Sequence, residues 1–123
     1  MSNVTVKTVD ELPTKFGGGF KLVRAGLDIS AFGVQAIDMP PNADQYPEHD
    51  HAEDGQEELY TALAGEATLK AGGEQIQLKP DVFVKVGPGV KRKVFTGDSN
   101  ARILVVGGVP GQAYEIPEYS RPD

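Results

Sequence analysis

The stretch that decides the fold is residues 49–65, which read His49-Asp50-His51-Ala52-Glu53-Asp54-Gly55-Gln56-Glu57-Glu58-Leu59-Tyr60-Thr61-Ala62-Leu63-Ala64-Gly65. His49 and His51 are the two histidines of the chain, and on an extended segment residues two apart project from the same face. Glu58 opens a clear strand pattern. Two imidazoles and a carboxylate that converge on one point suit a borderline divalent metal. The stretch therefore indicates a pocket, although it does not by itself indicate a reaction.

Composition places the chain among globular proteins with a single domain. Its 123 residues can bury one sizeable core, and its contents of 39% hydrophobic and 24% charged residues are ordinary. The net charge of -6 disfavours nucleic acid and anionic membrane surfaces as partners. There are no cysteines, which excludes disulfides and thiolate metal sites. The chain shows neither a signal peptide nor an apolar run that could span a bilayer, so we expect a cytoplasmic protein.

Glycine and proline divide the chain into short pieces with strand patterns. These pieces are residues 4–9, 32–39, 58–63, 66–69, 74–78, 81–86, 92–95 and 101–106. Short strands with turn signals at this spacing indicate an all-β antiparallel sandwich or barrel, with helical character limited to one turn at residues 8–12. We expect a single domain over 1–123, with a barrel core at about 20–108. Residues 109–123 would be an extended C-terminal tail on the surface or on a neighbouring subunit.

Two motifs in this order resemble those of the cupin superfamily, whose domain is a double-stranded β-helix, or jelly roll, with a ligand cavity inside. The first motif of that family has a His-x-His pair, a glutamate and a closing glycine, and here it reads His49, His51, Glu58 and Gly65. The second has a strand, then Pro-x-Gly and a histidine, and here it reads Val82-Phe83-Val84-Lys85-Val86-Gly87-Pro88-Gly89-Val90-Lys91-Arg92. The resemblance covers residues 32–106. It implies the jelly-roll fold, and its spacing implies Glu58 rather than Glu57 as the metal-ligand glutamate.

The main departure from the family pattern is Arg92, which stands where the fourth metal ligand, a histidine, would be. Arginine stays protonated and has no lone pair to donate, so it cannot ligate a metal. The resemblance then leaves His49, His51 and Glu58 as a three-ligand face for Fe, Mn or Zn. Metal occupancy stays open at this point, and no organic cofactor is implied.

Arg92 permits two interpretations. It can form an ion pair with Glu58 in a purely structural site, or it can hold an anionic ligand beside a metal, since its planar fork matches a carboxylate. We favour the second, with Arg92 as a ligand-binding residue. Tyr60 shares the face of Glu58 and is a second ligand-binding candidate, although it can equally fill one wall of the cavity.

Three functions remain. The first is a metal-dependent oxygenase, isomerase or lyase acting on a small anionic molecule, although no catalytic residue can be named. The second is a non-catalytic binding or sensing module that uses the same cavity. The third is a cupin with a degenerate site. Leu59, Thr61 and Leu63 form the other face of the strand, which needs cover from the second sheet or from another subunit. Cupin resemblance implies a homodimer, which would also cap exposed strand edges.

Overall fold

The computed structural model describes residues 3–123, which form nine strands and one short α-helix. The strands are β1 (Thr14–Lys15), β2 (Phe20–Lys21), β3 (Gly33–Met39), β4 (Glu57–Gly65), β5 (Ala67–Ala71), β6 (Glu74–Leu78), β7 (Phe83–Val86), β8 (Arg92–Phe95) and β9 (Ala101–Gly108). The helix α1 is Val23–Leu27, and single 3-10 turns occur at Val9–Glu11, Phe16–Gly18 and Glu118–Ser120. Within this described range no helix is long and apolar enough to cross a membrane.

The strands form two antiparallel sheets with the core between them. One sheet has the order β1-β2-β3-β9-β4-β7, and the other has the order β6-β5-β8. Tyr60 and Ile103 from the larger sheet and Leu69 from the smaller one are fully buried in the same apolar cluster. Burying a large apolar side chain of this kind contributes about 1.5–3 kcal/mol. This antiparallel sandwich confirms the all-β prediction.

Strand β4 positions the candidate site because its residues alternate between the core and the outer face. Glu58, Tyr60 and Ala62 point inward, with exposures of 7%, 0% and 3%. The strand ends at Gly65, whose φ is +71° and where an added Cβ would collide with the backbone oxygen of Asn100. Only glycine fits such a close approach in the left-handed region. The prediction that Tyr60 shares the face of Glu58 is confirmed.

Most predicted strands are present, but the one at residues 4–9 is wrong. Val4 and Val6 are 75% and 80% exposed, so the alternation there does not correspond to a buried face. The helical turn expected at residues 8–12 is the 3-10 turn Val9–Glu11, which the Thr8–Glu11 capping box stabilises. Helix α1 was not predicted. It is only five residues long, too short for a helical period to stand out in the sequence.

Two segments bear on predicted contacts with other chains. The residues of the tail at 109–123 fold back onto their own chain, where Tyr119 packs edge-on against Phe20 at 6.2 Å and Ser120 is fully buried. On the outer face, Leu63 and Phe83 are 52% and 69% exposed. The homodimer stays a prediction.

Candidate metal centre

Residues 49–51 are anchored to the start of β8 by backbone hydrogen bonds. The His49 N–H donates to the Arg92 carbonyl at 3.0 Å, and the Arg92 N–H donates to the His49 carbonyl at 2.9 Å. The His51 N–H donates to the Pro88 carbonyl at 2.7 Å. Directly opposed residues of an antiparallel pair project to the same side. The pairing therefore aims the His49 imidazole and the Arg92 guanidinium into the same interior.

Glu58 approaches from β4, with Gly107 of β9 directly beside it in register. A Cβ at Gly107 would lie 2.6 Å from Gln56 Oε1 and 3.3 Å from Glu58 Cγ. The glycine thus leaves the space in which the Glu58 side chain turns inward. Sequence and register together bring three predicted metal ligands, His49, His51 and Glu58, to one point, where their ligand atoms all lie within 4.8 Å of one another.

The two oxygens of the Glu58 carboxylate have different surroundings. Oε1 accepts hydrogen bonds from Arg92 Nη1 at 3.0 Å and from the Tyr60 hydroxyl at 2.8 Å. Oε2 lies 3.4 Å from His51 Nε2. Among residues 3–123, that His51 nitrogen is buried without a hydrogen-bond partner, so the contact is close but not well aligned. Oε1 is therefore engaged by two donors, while Oε2 faces a nitrogen that nothing else satisfies.

The surroundings of both imidazoles fix which nitrogen is free. His49 Nδ1 lies 3.1 Å from the Pro47 carbonyl, and His51 Nδ1 lies 3.1 Å from both Asp54 oxygens. A carbonyl and an ionised carboxylate accept hydrogen bonds but cannot donate them, so we assign the proton to each Nδ1. The neutral rings then present an Nε2 lone pair toward Glu58.

Asp54 and Gln56 complete the support of His51, and sequence reasoning missed both. The Gln56 N–H donates to Asp54 Oδ1 and the Gln56 Nε2 donates to Asp54 Oδ2, each at 3.1 Å. These bonds hold the Asp54 carboxylate against the imidazole, in the way that metal-binding histidines are commonly oriented by an acceptor behind the ring. The three-residue spacing from His51 to Asp54 was the signal that could have identified the pair.

Charges inside the site shift two titrations in opposite directions. Glu58 raises the pKa of His51 above its ordinary value, burial opposes this, and Asp54 adds to the increase. Burial alone would raise the pKa of Glu58, but His51, Tyr60 and Arg92 together lower it below its ordinary value. Glu58 is thus ionised at neutral pH. Without a proton or a metal between them, the lone pairs of His51 Nε2 and Glu58 Oε2 would face each other in repulsion.

The donor set fits a divalent metal. Two imidazole nitrogens and one carboxylate oxygen suit Zn, Fe or Mn. His49 Nε2 lies 3.9 Å from Glu58 Oε1, and His51 Nε2 lies 3.4 Å from Glu58 Oε2. The orphaned His51 Nε2 is the atom that such an ion would satisfy. Arg92 and Tyr60 stabilise the carboxylate from its other oxygen and leave Oε2 free.

Arg92 and Tyr60 were also predicted to bind a ligand directly, and this remains a prediction. Both side chains are fully buried, with 0% exposure. Arg92 Nη2 donates to the Gly87 carbonyl at 2.6 Å, in addition to its bond to Glu58. In this arrangement both terminal nitrogens of the guanidinium have protein partners. The first sequence interpretation, an ion pair between Arg92 and Glu58, describes the observed contact.

A cavity of about 690 Å³ opens beside the site. Its lining includes His49 and His51 together with the aromatic residues Phe20, Tyr46 and Tyr119. The His49 side chain is 28% exposed and that of His51 is 8% exposed. The two imidazoles thus lie between the buried Glu58 carboxylate and the open space.

Comparisons with known proteins agree with this architecture. The family model described as "Cupin domain" matches residues 36–107. A search of curated proteins found no match. Among solved structures, a cupin protein from Bacteroides fragilis is similar with a TM-score of 0.72 and 20% identity, over 95% of this chain and 93% of that one.

Two further solved structures are similar over a smaller share of their own length. A DMSP lyase from Ruegeria pomeroyi matches with a TM-score of 0.57 and 25% identity, over 76% of this chain and 46% of that one. A structure described as a sugar phosphate isomerase from Acidithiobacillus ferrooxidans matches with a TM-score of 0.59 and 22% identity, over 72% and 56%. The family match covers more than half of the chain and includes His49, Glu58 and Arg92. The chain belongs to the cupin family and has its jelly-roll fold.

Proposed function

We propose that this protein binds a divalent metal through His49, His51 and Glu58 and uses it to act on a small molecule held in the adjoining cavity. The observation that carries the proposal is the buried His51 Nε2, which has no hydrogen-bond partner among residues 3–123 and lies 3.4 Å from Glu58 Oε2. Two buried lone pairs in that arrangement call for a cation between them. A protonated His51 is the competing occupant.

A metal in this position would polarise an oxygen of the bound molecule as a Lewis acid. The chain's own residues have separate tasks. Asp54 orients His51, while Arg92 and Tyr60 hold Glu58 through Oε1. With three protein ligands, coordination positions remain for an oxygen donor from the cavity side, where His49 is partly exposed. This arrangement supports an oxygenase, isomerase or lyase, and the descriptions of two similar structures, a lyase and an isomerase, agree with that range.

The test is metal content in protein purified without a histidine tag. We expect one equivalent of Fe, Mn or Zn by elemental analysis, at most about a tenth of that in His51→Ala, and a large reduction in Glu58→Gln. Glu57→Gln is the matched control, because Glu57 is the neighbouring carboxylate but its side chain is 46% exposed and pairs with Lys85. Full metal content in His51→Ala, or none in the parent protein after incubation with each ion, would reject the proposal.

A second candidate is a non-catalytic binding protein with the same cavity. The direct Arg92–Glu58 contact at 3.0 Å favours it, because a degenerate site would close in this way. Thermal-shift screening with small organic acids, with and without metal, separates the two. Stabilisation with no loss of the compound supports binding alone, whereas catalysed loss that requires metal supports the enzyme. An anionic ligand held by Arg92 would need the guanidinium to release Gly87 or Glu58.

A further inference from the structure

The cavity has a second lining beside the two histidines. Four aromatic residues, Phe16, Phe20, Tyr46 and Tyr119, form what we call the aromatic wall. Phe20 is at its centre, since its ring lies 5.4 Å from Phe16, 6.5 Å from Tyr46 and 6.2 Å from Tyr119. Such centroid distances are typical of interacting aromatic pairs. The wall is therefore one continuous apolar surface built from the N-terminal segment, the loop before His49 and the C-terminal tail.

The wall is more exposed than a core cluster should be. Phe16 is 72% exposed and Tyr119 is 46% exposed, although both rings contact the buried Phe20. Phe16 also adopts a φ of +56°, which is uncommon for a bulky residue. The following Gly17 and Gly18 have positive φ angles as well. The chain accepts an unfavourable backbone conformation at the point where it presents this ring beside the cavity.

Charge on the lining argues against a polyanion in this part of the cavity. The lining residues drawn from the described range include the aspartates Asp50 and Asp54 and neither lysine nor arginine, and Asp38, which also borders the cavity, directs its carboxylate to Arg102 on the outer face. Arg102 neutralises Asp38 and His51 contacts Asp54. The Tyr119 hydroxyl is neutral at physiological pH, because the pKa of tyrosine is ordinarily about 10 and the partly buried position raises it further. Neither a phosphate group nor a second carboxylate would find a cationic partner along this wall.

The wall leads directly to the histidines. Tyr46 stacks over Phe20 on one side and lies edge-on to His49 on the other, with ring centroids 6.1 Å apart. A molecule lying on the wall would thus have one end beside the imidazoles. The cavity volume of about 690 Å³ is within the roughly 300–1,000 Å³ range of small-molecule sites.

From these observations we infer that the aromatic wall binds the apolar ring of a ligand whose single oxygen-donor end reaches His49 and His51. The chemical class is a compact cyclic or aromatic molecule with one carboxylate, enolate or hydroxyl, rather than a sugar phosphate. The part of this inference that concerns the oxygen donor rests on the proposed metal function. The part that concerns the apolar ring rests on the aromatic wall alone.

The test is calorimetric titration of metal-loaded protein with phenylacetate, acetate and glucose 6-phosphate. We expect phenylacetate to bind at least about tenfold more tightly than acetate, because a buried ring adds apolar contact. Phe16→Ala and Tyr119→Ala should each weaken phenylacetate binding about three- to tenfold and leave acetate binding unchanged. Tyr119→Phe, which keeps the ring, should bind phenylacetate like the parent protein.

Phe83→Ala is the matched control, since Phe83 is 69% exposed, close to the 72% of Phe16, but projects from β7 on the outer face. It should change no affinity. Equal affinities for phenylacetate and acetate, tighter binding of glucose 6-phosphate, or equal effects of Phe16→Ala and Phe83→Ala would overturn the inference.

Titration of metal-free protein with neutral benzyl alcohol distinguishes the two proposals. Suppose that the protein takes up no metal but binds benzyl alcohol, and that Phe16→Ala weakens this binding. That result would support the aromatic wall and reject the metal function. Stoichiometric metal without any preference for a ring would reject the wall alone.

Discussion

Two arginine–carboxylate pairs in this protein differ in geometry and in surroundings. Arg102 and Asp38 face each other across β9 and β3 on the outer face, with contacts of 2.6 and 3.0 Å and side chains that are each 36% exposed. Arg92 and Glu58 meet inside the barrel through one contact of 3.0 Å, with side chains that are 0% and 8% exposed. The outer pair is bidentate, which is the stronger geometry. The inner pair has a single bond but is far more enclosed.

This difference shows that the inner pair is unlike an ordinary stabilising salt bridge. Exposed pairs typically contribute about 0–1 kcal/mol, because water screens them. In a buried pair the desolvation of both charges offsets their attraction, yet removing one partner leaves the other charge uncompensated. Arg92 is bonded to Gly87 and Glu58, and Glu58 is bonded to Tyr60. The inner pair holds the ionised Glu58 carboxylate in one orientation beside the histidines.

The largest effect should follow from Arg92→Met, which removes the cation and keeps an apolar chain of similar length. Glu58 would remain buried without the guanidinium that pairs with it, so we expect the free energy of unfolding to fall by about 3–5 kcal/mol in urea titrations. The double variant Arg92→Met/Glu58→Gln should recover much of this loss, because no buried charge then remains. A loss below about 1 kcal/mol in the single variant would contradict the difference drawn between the two pairs.

A smaller effect is expected from Tyr60→Phe, which removes one hydrogen bond to the same carboxylate. The hydroxyl donates to Glu58 Oε1 at 2.8 Å in a fully buried position. Loss of a hydrogen bond to a charged acceptor should lower the free energy of unfolding by about 1.5–3 kcal/mol. Tyr46→Phe is the control, since its hydroxyl makes no hydrogen bond within residues 3–123 and its ring stays in place. Equal losses in both variants would show that Glu58 does not depend on Tyr60.

The predictability of the site follows from where its residues come from. His49, His51, Glu58 and Tyr60 lie within twelve consecutive residues, and strand parity places the pairs at 49/51 and 58/60 on shared faces. Local spacing, together with the resemblance to the cupin motif, was therefore sufficient to identify the candidate metal ligands, and the turn signals indicated the antiparallel sheets. The sequence also offered the ion pair between Arg92 and Glu58, but it did not indicate what else holds the guanidinium. The backbone bridge to His49 and the bond to the Gly87 carbonyl are contacts made only by the folded chain.

The aromatic wall was missed for the same physical reason. Phe16 begins the 3-10 turn before β2, Phe20 is in β2, Tyr46 is in a loop and Tyr119 is in the tail, so no spacing in the sequence connects them. Their contact requires the tail to return to Phe20. The strand prediction for residues 4–9 was wrong for the opposite reason. The apolar residues alternate there, but Val4 and Val6 stay largely exposed.

The smallest effect should come from Asp38→Asn, which breaks the outer pair. The Arg102 hydrogen bonds lower the pKa of Asp38 below its ordinary value, although partial burial opposes this. A lowered folded-state pKa stabilises the protein above the unfolded value of about 3.9, and that stabilisation disappears as the pH falls through the folded value. Because both side chains are 36% exposed, the free energy of unfolding of Asp38→Asn at pH 7 should be lower than that of the parent protein by no more than about 1 kcal/mol.

This difference should be constant from pH 7 to about pH 5, shrink below pH 4, and decrease in high salt. Urea unfolding of Asp38→Asn across this pH range measures the loss in free energy of unfolding. Asp98→Asn, a substitution in an exposed turn, is the control. A loss at pH 7 as large as that of Arg92→Met would mean that geometry rather than burial governs both pairs, and the outer pair would then be the stronger constraint on the sheet.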